Sequence, residues 1–379
     1  MSLQLMNFDE IFYFQKKSKR KAGDGEKVGD YPFYTSSPIL SKYTNEPDYN
    51  IQSLVFGTGG SPSVHITPSK FSSSGDCLVA CPKDTLKMHL PFVFYFFLGN
   101  MHILEAGFKG AGLKHISKAY ISNIKIPLPP LALQKQIAAV LEKADTLRSQ
   151  CRQMEQELNI LAQSVFLDMF GDPVTNPKGW NSEKLSQLAS VQSGATPSKS
   201  NELYWSGNYP WVSPKDMKST YISDSIDHIS EVVFEETNLK KIAKDTILVV
   251  VRGMILAHTV PIALTKSNVS INQDIKALFI SREEVLPLYL LWCLKSQHCN
   301  ILQKVSTAAH GTKRLDMPDL VGLDICVPPI EFQQKFVSII QQYDAQLSIS
   351  RELTGQYQSL FESLMQRAFK GELQLKDVA

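Results

Sequence analysis

The sequence predicts an α+β protein with a pseudo-two-fold internal repeat: two globular mixed α/β units separated by two long antiparallel, coiled-coil-like helices. Three observations lead there. First, "IPLPPLALQKQIAAVLEKAD" (Ile126 to Asp145) returns as "ICVPPIEFQQKFVSIIQQYD" (Ile325 to Asp344), at a constant shift of 199 residues. Second, the apolar residues that follow each copy fall on a heptad. Third, the stretches upstream of the copies also align, at shifts that drift from 177 to 199, so the second copy carries insertions.

Residues 1–125 are the first globular unit. Within it "NFDEIFYFQKKSKRK" (Asn7 to Lys21) aligns with "KLSQLASVQSGATPS" (Lys184 to Ser198), and "DYPFYTS" (Asp30 to Ser36) with "NYPWVSP" (Asn208 to Pro214). "LVFGTGG" (Leu54 to Gly60) aligns with "VVRGMIL" (Val250 to Leu256), and "GAGLKHIS" (Gly110 to Ser117) with "AHGTKRLD" (Ala309 to Asp316). Runs such as "EIFYFQ" and "TILVVV" read as strands, separated by turn clusters such as "FGTGGSPS" and "SGATPSKSN".

Residues 126–175 are the first long helix. The double proline ahead of it fixes an extended start, and "MFGDPVTNPKGW" ends it with Gly, Pro and Asn. Its a-type positions are Ile137, Ala144, Cys151, Leu158 and Val165, and its d-type positions are Val140, Leu147, Met154 and Leu161. Residues 176–325 are the second globular unit. Residues 326–379 are the second long helix, with Phe336, Tyr343, Ser350, Tyr357 and Leu364 at a, and Ile339, Gln346, Leu353 and Leu360 at d. The expected seam between the helices is Ile137, Val140, Leu147, Met154, Leu158 and Leu161 against Phe336, Ile339, Tyr343, Leu353, Tyr357 and Leu360.

Composition bounds the function. At 379 residues, 43% apolar and 20% charged, the chain is long enough for more than one core and reads as globular. Its best membrane candidate, "LPFVFYFFL" at Leu90 to Leu98, is half the ~20 residues a spanning helix needs. The opening "MSLQLMNFDE" lacks the basic patch and apolar run of a signal peptide, so a cytoplasmic location is expected. The cysteines at 77, 81, 151, 293, 299 and 326 lack the spacing of a zinc site or a disulfide framework and read as buried hydrophobes; no metal is expected. Net charge is only +2, with 14 Lys/Arg against 10 Asp/Glu in residues 1–125 and 16 against 15 in residues 176–325. A surface for a polyanion would have to be a local patch.

Signatures of catalysis are missing. "FGTGG" resembles the glycine loop that holds S-adenosylmethionine, yet "SPSVHITP" follows it where a helix would have to start. "LPPL" and "VPPI" lack both the polar residue and the aromatic of the adenine methyltransferase loop. There is no Walker loop, HExxH or nucleophile elbow. What remains are candidate nucleic-acid contacts. Lys16, Lys17, Lys19, Arg20 and Lys21 lie in "KKSKRK", and Thr196, Ser198 and Lys199 lie in its counterpart "SGATPSK". Lys114 and His115 correspond to Lys313 and Arg314. Thr35, Ser36, Thr58, Ser213 and Lys215 offer hydroxyls or an ammonium near turns, and Arg252 interrupts the run "VVVRG", where it would need a partner.

These features resemble the specificity subunit of type I restriction–modification systems. The resemblance covers nearly the whole chain, most tellingly "GWNSEKLSQLASVQSGATPSKSNELYWSGNYPWVSPKDM", "INQDIKAL", "VPPIEFQQKFV", "MFGDP" and "AFKGEL". It implies a non-catalytic reader of double-stranded DNA, with residues 1–125 and 176–325 as target-recognition domains and the helices as spacers. It also implies two modification (methyltransferase) subunits as partners and, through them, restriction (translocase/nuclease) subunits. S-adenosylmethionine, ATP and Mg are then expected only on those partners, and none on this chain. A self-contained methyltransferase using "FGTGG" and a helical scaffold that does not bind DNA are the alternatives. Binding of S-adenosylmethionine to the isolated chain marks the first, and the lack of a salt-dependent affinity for duplex marks the second.

Overall fold

The computed structural model describes residues 4–84, 87–308 and 311–373, and it divides into two compact units, residues 1–153 with 350–379 and residues 154–349. Among the described residues of the first unit nine strands precede the long helix: β1 (Gln4–Asn7), β2 (Phe12–Phe14), β3 (Tyr31–Tyr34), β4 (Tyr43–Thr44), β5 (Leu54–Gly57), β6 (Val64–Ile66), β7 (Ser72–Ser73), β8 (Cys77–Pro82) and β9 (Lys125–Leu128). They form an antiparallel sheet ordered β2-β8-β5-β6, a small sheet β4-β3-β7 and the pair β1-β9. Phe8 stacks on Phe12 at 4.4 Å and meets Phe56 and Phe97 edge-on, binding the sheet to the helix Leu90–Gly99. "LPFVFYFFL" is therefore a core helix.

The second unit repeats this plan with β10 (Ser182–Lys184), β11 (Ala189–Ser193), β12 (Tyr209–Val212), β13 (Tyr221–Ile222), β14 (Asp227–Ile229), β15 (Ile247–Val250), β16 (Ile262–Thr265), β17 (Ser270–Ile271), β18 (Ile275–Ile280), β19 (Val305–Thr307), β20 (Lys313–Leu315) and β21 (Asp324–Cys326). Its sheets run β11-β18-β15-β16-β13, β14-β12-β17, β10-β21 and β19-β20. Strand for strand the order matches the first unit, with β13 added at one edge and the pair β19-β20 added as a separate hairpin. One alignment shifts. Leu54 faces Ala80 and Ile247 faces Leu278, so "LVFGTGG" is equivalent to Ile247–Gly253, "ILVVVRG", and not to the stretch starting at Val250. Every residue of β15 is buried, and a strand buried on both faces shows no alternation from which to read its register.

The repeated proline–proline–glutamine pattern has a mechanical explanation. Gln134 is buried; its Nε2 donates to the carbonyls of Pro129 (2.8 Å) and Lys87 (3.1 Å), and its Oε1 accepts from the amide of His89 (2.9 Å). Gln333 does the same with Pro328 (2.9 Å), Glu284 (2.7 Å) and Leu286 (3.0 Å). Each glutamine ties the first turns of a long helix to the amide just ahead of a core helix, leaving no polar atom of its amide group unpaired.

The long helices span Leu131–Phe170 and Ile330–Lys370 and start directly after the double prolines. They run antiparallel within both units. In the first, Arg148 reaches Gln358 at 3.2 Å and Ser350 donates to the carbonyl of Cys151. In the second, Phe166 and Phe170 each lie 5.4 Å from Phe336, and Tyr343 meets Asn159. The seam departs from the expected a/d pattern. Ile137, Phe336 and Tyr343 are buried and Leu158 and Tyr357 half-buried, whereas Met154, Leu161 and Leu360 are 52%, 54% and 46% exposed, with Leu353 exposed and Val140, Leu147 and Ile339 at the margin. The second buried series is instead Leu141 and Ala162 on one helix, with Arg148 half-buried between them, and Ile340, Leu347, Phe361 and Ala368 on the other, one residue later than d. Spacings of 3-then-4 and 4-then-3 share the heptad period, so apolar residues at both d and e leave the choice to three-dimensional packing.

The first long helix ends at Gly171, whose φ of +78° is the left-handed conformation of a helix C-cap. Lys178 donates to the carbonyls of Asp168 and Met169, and the Trp180 indole donates to that of Phe170 (2.9 Å), so "GDPVTNPKGW" satisfies the helix's last acceptors. Among the described residues no helix is long and apolar enough to cross a membrane. Cys77, Cys81, Cys151, Cys293 and Cys326 are buried, whereas Cys299 is exposed and departs from the expected buried set; burial pushes the Cys293 thiol up to about 12.

Candidate nucleic-acid interface

In each unit, the loop after the third strand of the main sheet, the turn before β8 or β18, and a late basic segment are bonded together. In the first unit the amide of Thr58 donates to the carbonyl of Asp76 (2.9 Å), and the amide of Ile116 donates to the carbonyl of Thr58 (3.1 Å). In the second, Val251 donates to Asp274 (2.8 Å) and Leu315 to Val251 (2.9 Å). These bonds set Gly59 opposite His115 and Arg252 opposite Arg314 in equivalent β-bridges.

The basic loops close on the same turns. The amide of Gly75 donates to the carbonyl of Arg20 (2.8 Å), which lays "KKSKRK" against the Ser74–Asp76 turn. The amide of Ala195 donates to the carbonyl of Ile271 (3.0 Å), and Thr196 bonds Gln273. Gly194 is required there, since a Cβ would lie 2.0 Å from the Ile271 carbonyl. Lys276, whose ammonium is pushed down by burial, donates to Ser193 at 2.6 Å.

The sequence candidates sort by what their side chains already do. Lys16, Lys17, Lys19, Lys21, Lys114 and Lys199 are exposed. Arg20 is a fastener inside the fold. Its guanidinium donates to Thr44 (2.9 Å), Ser72 (3.2 Å) and the carbonyl of Glu46 (3.2 Å), pairs with Asp48 at 3.6 Å and lies 5.0 Å over the Phe33 ring. Replacing Arg20 by lysine keeps the charge and loses the fork, and is expected to destabilise the chain by about 1–3 kcal/mol in denaturant titration. Ser36 and Thr58 both donate to the carbonyl of Asp76 (2.5 and 2.8 Å), and Ser213 is turned onto Asp216 (2.9 Å). Thr35 is half-buried. Ser198 bonds Ser200 at 2.8 Å, Lys215 pairs with Asp227 at 2.6 Å, and Lys313 donates to Thr307 at 2.8 Å.

Arg252 does not break a buried strand. It sits just past the end of β15, exposed, and has no side-chain partner among the described residues, so it requires no internal acid. Asp316, Gln273 and Lys276 escaped the sequence reading. The last two lie in "INQDIKAL", where only their place in the repeat could have marked them. Among the described residues no cluster of His, Cys, Asp and Glu could hold a metal ion.

Against known proteins, the family model for the type I restriction modification DNA specificity domain matches twice, over residues 3–159 and 177–356. The chain belongs to this family of type I specificity proteins. Among its members the chain is 30% identical over 283 residues to the Escherichia coli type I restriction enzyme EcoR124I/EcoR124II specificity subunit, covering 72% of this chain and 67% of that one. It is 25% identical over 404 residues to the Methanocaldococcus jannaschii MjaVIII specificity subunit, covering 98% and 92%. In fold the family member resembles the crystal structure of the type I restriction–modification S subunit from M. genitalium, with TM-score 0.67, 16% identity and coverage of 100% and 98%.

Proposed function

We propose that this chain is the non-catalytic DNA-reading subunit of a type I restriction–modification complex. Each globular unit reads one half of a bipartite, asymmetric duplex target. The long helices set the gap and dock two modification subunits, which bring the restriction subunits. S-adenosylmethionine, ATP and Mg chemistry belongs to those partners. The observation that carries this reading is the duplicated loop constellation. It sits at the same place in both units, yet presents Gly59 and His115 in one and Arg252 and Arg314 in the other. One scaffold carrying two different sets of side chains suits two half-sites of different sequence.

The test is a register experiment on the assembled complex. Removing seven residues from each long helix shortens each by about 10 Å, close to three base-pair steps. Mapping the modified bases is expected to return both half-sites unchanged with a narrower gap. An unchanged gap removes the spacer role.

A further inference from the structure

We propose that Arg314, held by Asp316, reads a guanine in one half-target, while His115 at the equivalent position of the other unit accepts a hydrogen bond from a base amine. This rests on the DNA-reading function proposed above.

The equivalence comes from the backbone. Ile116 and Leu315 donate to the carbonyls of Thr58 and Val251, and the residues just before them, His115 and Arg314, bridge to Gly59 and Arg252. Arg314 is exposed at the middle of β20, and both Nε and Nη2 of its guanidinium bind the Asp316 carboxylate. Asp316 stands at the N-cap position of the helix Met317–Val321 but gives it no side-chain cap bond. Its counterpart Ser117 does cap, accepting from the amide of Tyr120 at 3.1 Å. The carboxylate has thus been withdrawn from the helix terminus and turned onto the arginine.

Fixing one edge of a guanidinium leaves its Nη1/Nη2 end as a rigid pair of parallel donors. That is the complement of guanine O6 and N7 in the major groove. A phosphate contact needs no such brace, and the neighbouring Arg252 suits that role as an exposed cation without a side-chain partner among the described residues. In the other unit, Nδ1 of His115 lies 3.1 Å from the carbonyl of Thr58. A carbonyl only accepts, so Nδ1 carries the proton, and in the uncharged ring Nε2 is left as an acceptor. Gly59 makes room, since a Cβ there would lie 3.1 Å from the imidazole. The equivalent position therefore donates in one unit and accepts in the other, and the major-groove donors are adenine N6 and cytosine N4.

The experiment is modification mapping on a randomised duplex library, using the full chain assembled with its modification subunits. Arg314→Gln is expected to lower the preference for guanine by roughly 5- to 150-fold at one position of one half-target and to raise adenine there, leaving the other half untouched. Asp316→Asn retains a side chain suited to the N-cap. It is expected to weaken the same guanine preference while the salt dependence of binding to random duplex stays as in the parent. His115→Arg should bring guanine into one position of the other half. A uniform loss over all targets in Arg314→Gln or Asp316→Asn, with base preferences unchanged, would make Arg314 a backbone anchor and overturn the proposal. If Arg314→Gln does not assemble, Asp316→Asn decides for that unit. Unaltered preferences in His115→Arg overturn the histidine half. A parent complex that modifies without any sequence preference defeats the DNA-reading function itself, a separate result.

Discussion

Replacing Phe336 by alanine is expected to destabilise the unit of residues 154–349 by about 3–5 kcal/mol, the largest effect of any single change considered. Phe336 is fully buried and lies edge-on to Phe166 and Phe170, each at 5.4 Å, and to Trp292 at 6.3 Å. Its ring joins the second long helix, the end of the first and the core helix Pro287–Ser296. Truncation removes the contacts of all three and leaves a cavity that a helix held at both ends cannot close. Leu161→Ala is the control. Leu161 was expected in the seam but is more than half exposed, so its loss should move stability by no more than about 0.5 kcal/mol. Denaturant titration of the two variants measures the seam directly. Equal losses would restore the a/d packing that the sequence suggested.

The second large effect is expected at the paired glutamines. Gln333→Leu keeps nearly the same volume, strands the buried carbonyl of Pro328 and unpairs the part-buried carbonyl of Glu284 and amide of Leu286. With one fully buried carbonyl left unpaired in each case, a loss of about 1–3 kcal/mol is expected for Gln333→Leu and for Gln134→Leu. Gln333→Glu separates hydrogen bonding from packing. Its protonated carboxyl can still donate to one carbonyl, whereas the carboxylate would face two carbonyls with no donor. Desolvation therefore raises the folded-state pKa above the unfolded value of about 4.3. Stability should be highest below that pH and fall as pH rises through the raised pKa, by up to about 1.4 kcal/mol per unit. A flat pH profile between 4 and 8 would show that the side chain does not face those carbonyls.

Both effects show what could be read from the residues alone. The 199-residue repeat exposed Gln134 and Gln333 as equivalents because they sit at a fixed distance from prolines that no helix interior admits. It also paired His115 with Arg314. The partner across the bridge could not be found this way. Arg252 follows "TILVVV", where apolar residues face buried surroundings on both sides, and a three-residue slip costs nothing in the pattern. Likewise Val140 and Leu141 are both apolar, so the sequence offered two seams and only packing against the partner helix selected the second. "KKSKRK" looked like a uniform basic patch, yet Arg20 differs from its lysine neighbours because Thr44, Ser72 and Asp48 reach it from strands and loops distant in the chain.

The first unit is closed by the far end of the chain. Phe361, Met365 and Ala368 complete its core, and Phe369 packs on Phe92 and Phe96. On the ribosome, residues 154–349 are all available while those rings still lack their cover. The half that is synthesised first is therefore the half that matures last, with an aromatic surface open to chaperones until the final helix emerges.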